Sequence, residues 1–77
     1  MNKKRRKTLE TISAKITDIC NELQEVQDEE EESLSNIPEN LQGSDVYIQS
    51  EEACDQLAEC ISILEDANTL LDEIVLG

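Results

Sequence analysis

The sequence contains no histidine, tryptophan or phenylalanine, and only one tyrosine, two glycines and one proline among its 77 residues. Without histidine it lacks the commonest general base and metal ligand near neutral pH. Sheet proteins draw on Gly and Pro for their turns, and three such residues punctuate little, so strands are not expected. No apolar run approaches the roughly 18 residues of a membrane span, and the basic start leads into no apolar stretch of the signal-peptide kind. Bases are also missing from most of the chain. Lys3, Lys4, Arg5, Arg6, Lys7 and Lys15 are the whole set, so residues 16–77 carry eighteen acids and no base, within a net charge of −13. What the chain does have is eight Ile, nine Leu and three Val, a composition suited to helix seams. These features predict one small, acidic, all-α domain over residues 1–77, cytoplasmic, with no cofactor and no metal site.

From Leu9 the apolar residues fall at Leu9, Ile12, Ile16, Ile19, Leu23 and Val26, spaced 3 and 4 alternately. This heptad spacing predicts a helix near residues 6–33. Its basic start, residues 1–7, opposes the helix macrodipole and is expected to fray. The stripe ends in Asp28-Glu29-Glu30-Glu31-Glu32, and adjacent acids at a helix C-terminus are disfavoured by the dipole and by each other. Residues 34–44 then read as a connection. Pro38 disfavours helix at Ile37, Gly43 is suited to a positive φ, and Ser44 before Asp45 is an N-cap.

A second helix is expected near 45–75, and it carries two seams. One runs through Tyr47, Ser50, Cys54, Leu57, Ile61, Leu64, Asn68, Leu71 and Val75. The other runs through Ala53, Gln56, Cys60, Ile63, Ala67, Leu70 and Ile74. That face is too wide for a single partner helix. The first helix can cover one seam in an antiparallel hairpin. Cys60, Ile63, Ala67, Leu70 and Ile74 then need a second copy of the chain, and a homodimer closing into a four-helix bundle is the expected answer. Asn68 at a seam position would fix register at some cost in stability.

Catalytic and ligand roles find little support. Cys20, Cys54 and Cys60 form no C-x-x-C pair, and the surrounding negative charge raises thiol pKa values, so they read as small core residues. The acidic run lacks the spacing of a calcium loop. Paired carboxylates need a pocket that separates their pKa values, which a hairpin this small does not offer. An enzyme is not expected.

The segment Asp28 to Gln42, with its acids followed by Asn36-Ile37-Pro38-Glu39-Asn40-Leu41-Gln42, and the later Glu51-Glu52-Ala53 form a pattern. It resembles short, acidic, uncharacterised bacterial and phage-borne proteins that read E-E-E-E, N-[LI]-P-E-x-L-Q, then E-E-A, between two amphipathic helices. The resemblance spans most of the chain, and it implies a hairpin and a mobile-element context, hence a bacterial host cytoplasm. In size and acidity the chain also resembles phage inhibitors that imitate DNA or plug basic clefts.

Charge density gives that idea a scale. Eighteen acids along a helix of about 45 Å make about one charge per 2.5 Å, or about one per 1.3 Å in a side-by-side dimer; duplex DNA carries about one per 1.7 Å. The expected function is therefore an acidic binding or inhibitor protein that occupies a basic, nucleic-acid-binding site on a partner protein. Its candidate contacts are Asp28, Glu29, Glu30, Glu31 and Glu32 with Glu51, Glu52, Asp55 and Glu59. The alternative is a structural oligomerisation or scaffold module whose charge only keeps it soluble. The basic cluster Lys3–Lys7 has no aromatic or Gly-rich companion and reads as a solvated tail, so direct nucleic-acid binding is not expected.

Overall fold

The computed structural model describes all 77 residues as two long helices joined by a short turn. Helix α1 spans Lys3–Ser35 and α2 spans Asp45–Leu76, with a single 3₁₀ turn at Glu39–Leu41 between them. The two helices pack antiparallel as a rod of 59 × 14 × 13 Å, the helical hairpin expected of the sequence.

Local signals set the helix ends. The Asn2 side chain accepts a hydrogen bond from the Arg5 amide at 2.8 Å. This cap satisfies one of the free first-turn donors, and helix begins at Lys3 although the first turn holds no acid to favour the dipole. At the other end α1 runs to Ser35, with its acidic run wholly helical. Pro38 is extended, at φ −56° and ψ 144°, which turns the chain into the 3₁₀ turn. The Ser44 side chain accepts from the Tyr47 amide and starts α2. Gly43 keeps a negative φ, so this turn does not need the glycine's conformational freedom.

Burial shows which faces meet. On α2 every residue of the seam from Tyr47 to Val75 is half-buried or buried, with Cys54 at 6 % and Ile61 at 8 % exposure the only two fully buried residues. On α1 the facing residues are Leu9, Ser13, Ile16, Cys20, Leu23, Gln27, Glu30 and Leu34. This corrects half of the expected α1 seam. Leu9, Ile16 and Leu23 face α2, whereas Ile12, Ile19 and Val26 are exposed, because each lies one residue before the true seam position. The less hydrophobic Ser13, Cys20 and Gln27 take their place.

Polar residues enter the seam because they find partners across it. Ser13 Oγ donates to Asp72 Oδ1 at 3.1 Å, and Asn68 Nδ2 donates to Thr17 Oγ1 at 3.1 Å. Gln27 Nε2 reaches the Cys54 carbonyl at 3.4 Å, and Ser50 Oγ donates to Glu30 Oε1. A buried polar group left unpaired would cost about 1–3 kcal/mol, so these pairs fix which faces and which register are compatible.

Candidate functional site

Two surfaces stand out, an acidic loop end and an apolar side. At the loop end, the Glu30–Ser50 bond sets the acidic run of α1 level with the start of α2. Asp28, Glu29, Glu31, Glu32, Glu51, Glu52, Asp55 and Glu59 are all exposed there. Glu30 differs from the rest: it is half-buried in the seam and accepts the Ser50 hydroxyl, so it belongs to the packing more than to the surface. Gln24 donates to Asp28 at 3.0 Å and Gln27 to Glu31 at 3.3 Å, one turn along the same helix, which steadies two of these carboxylates.

The charge is divided along the rod. Residues 20–60, the loop half, contain thirteen acids and no base, while the terminal half contains six acids and all six bases. The entire net charge of −13 therefore belongs to the loop half. At the opposite tip Lys3, Arg6, Lys7 and Glu10 line a shallow, open cleft with Val75.

The three thiols occupy different environments. Cys54 is buried, Cys20 half-buried and Cys60 exposed, so only two of the three act as core residues. Burial, reinforced by the negative charge of Glu31, Glu30, Asp55 and Glu51, pushes the Cys54 thiol pKa up. No group of three Cys, Asp or Glu side chains is placed to hold a metal ion together.

The apolar side follows from heptad geometry. In an antiparallel helix pair, the positions just before each first seam residue lie on one side of the pair, and those just after each second seam residue lie on the other. Thr17 and Asp72 are of the second kind, and the Asn68–Thr17 and Ser13–Asp72 bonds mark that polar side. Ile12, Ile19 and Val26 of α1 are of the first kind, as are Cys60, Ala67 and Ile74 of α2. Ile63 and Leu70 adjoin them, at 59 % and 61 % exposure. The expected second seam of α2 is thus largely exposed in the single chain, with only Ala53 and Ala67 half-buried, and α1 contributes three residues to the same face. The signal for those three was present in the sequence as a strict seven-residue repeat of branched aliphatics.

No family model, curated protein or solved structure matches the chain.

Proposed function

We propose that the protein is a non-enzymatic binding module, acting as a homodimer, whose acidic loop end occupies a basic site on a partner protein. The observation that carries this reading is the confinement of the whole net charge to the loop half, where thirteen acids meet no base. Self-repulsion of this kind costs stability, and a cationic groove that binds nucleic acid would relieve it. Occupation of such a groove would make the module a competitive inhibitor, in keeping with the resemblance to short acidic bacterial and phage proteins. The test is salt dependence. A partner captured from a bacterial lysate at low salt should be released between 50 and 300 mM NaCl, since exposed charge pairs are screened over that range. Capture unaffected by salt would refute the reading.

A second reading is a scaffold whose working surface is the apolar side. The exposed Ile63 and Leu70 favour it, because a hairpin with two fully buried residues gains little from its own core. The seam of Cys60, Ile63, Ala67, Leu70 and Ile74 would then supply the homodimer contact. Assembly through it should tolerate salt or improve with it, the opposite of the acidic-end prediction.

A further inference from the structure

The apolar side is self-complementary in one particular sense. Ile12, Ile19 and Val26 repeat at intervals of seven and are 39 %, 44 % and 50 % exposed. Ile19 is the middle residue of α1, which runs from Lys3 to Ser35. A two-fold axis through Ile19, perpendicular to the rod, carries residue 12 onto 26 and leaves the whole length of the hairpin in contact. The cross-helix bonds Thr17–Asn68 and Gln27–Cys54 bracket Ile19 and set it level with about residue 65 of α2. The same axis therefore lays Ile63 near Ala67 of the partner subunit and Leu70 near Cys60 of the partner subunit. Large side chains would meet small ones, which is how facing layers interdigitate.

Charge selects the same arrangement. Two hairpins can also pair about an axis along the rod, which stacks α1 on α2 and brings both loops to one end. That would set thirteen unbalanced acids beside thirteen more. The perpendicular axis instead places each acidic half along a half whose six acids are balanced by six bases. Lys15 and Glu22 each lie three residues beyond a stripe residue, Ile12 and Ile19, on the flank of the face. The axis at Ile19 brings Lys15 within a residue of Glu22 of the partner subunit, twice by symmetry. Lys15 is also the one base outside the Lys3–Lys7 cluster.

We propose that the apolar side binds a second copy of the chain antiparallel, with Ile12 of each protomer over Val26 of the partner subunit and the basic start of each along the other's acidic loop end. This rests on the self-association reading above and adds its geometry. The resulting isologous dimer presents one acidic loop end at each pole and so offers two separate docking sites.

Disulfide trapping tests the arrangement, because a disulfide forms only where Cα atoms come within about 7 Å. Single variants Ile12→Cys, Val26→Cys and Ile74→Cys are made with Cys20→Ser and Cys60→Ala, leaving the buried Cys54. Pairs are mixed, one member carrying a mass tag, and oxidised with diamide. The Ile12→Cys and Val26→Cys mixture should give the tagged–untagged cross-link, while either variant alone gives none, since like positions would lie about 21 Å apart along the rod. The Ile12→Cys and Ile74→Cys mixture should give none. A cross-link in that second mixture overturns the antiparallel arrangement, as does a dimer in sedimentation that yields no 12–26 product. A wild-type chain that sediments as a monomer at tens of micromolar overturns the self-association reading itself.

Discussion

Asn68 Nδ2 donates to Thr17 Oγ1 at 3.1 Å, and this bond ties the C-terminal third of α2 to the middle of α1. The pair has one weakness. Asn68 Oδ1 is buried with no partner, so the bond specifies register more than it stabilises. Removing only Thr17 as Thr17→Val leaves the amide wholly unpaired and should lower stability by about 1–2 kcal/mol. Replacing both, as Thr17→Val with Asn68→Leu, removes the unpaired oxygen and should raise the urea midpoint above wild type. A double variant less stable than wild type would mean that the bond contributes net stability.

The neighbouring residues Ile61 and Ile63 separate the two apolar surfaces. Ile61 is 8 % exposed and packs against α1, whereas Ile63 is 59 % exposed on the other side. Ile61→Ala should therefore cost about 2–4 kcal/mol of hairpin stability through the cavity it leaves. Ile63→Asp should leave the secondary structure intact and abolish self-association. Circular dichroism with sedimentation on both variants checks the division, and equal effects on the two readouts would count against it.

Cys54 gives a pH dependence. Its thiol is neutral when protonated, and burial with the nearby carboxylates raises its pKa in the folded chain. The folded state therefore holds this proton more tightly than the unfolded state. The stabilisation is fully present below the ordinary thiol pKa of about 8.5 and is lost as pH rises through the folded value. The urea midpoint should fall between pH 7.5 and 9.5, and fall less in Cys54→Ala. In alkylation at pH 8, the buried Cys54 should react last.

The α2 seam was fully legible in the sequence, all nine residues from Tyr47 to Val75, because they keep an unbroken alternation of 3 and 4, while the equally apolar Ile63, Leu70 and Ile74 fall on a second series and stay exposed. The α1 seam was legible only in part. Leu9, Ile16 and Leu23 belong to both of the heptad series that the sequence allows. Hydrophobicity alone chooses Ile12, Ile19 and Val26 to accompany them over Ser13, Cys20 and Gln27. The choice is reversed by hydrogen bonds to Asp72 and Cys54, which involve residues about 30 to 60 positions away and leave no trace in local periodicity. The acidic run was equally plain, yet the inward turn of Glu30 depends on Ser50 across the hairpin. An isolated helix pattern cannot report such a partner.

The central claim is that the exposed acids of the loop end bind, and the measurement that addresses it most directly is a paired one. Asp28→Asn, Glu29→Gln, Glu31→Gln and Glu32→Gln together keep side-chain size and spare Glu30, which accepts the Ser50 hydroxyl. The variant's urea midpoint and its affinity for the captured partner are measured at 50 and 200 mM NaCl. Relief of repulsion should raise the midpoint, while affinity at low salt should fall about ten-fold or more and lose most of its salt dependence. A variant that binds as tightly as wild type at 50 mM NaCl would contradict the account.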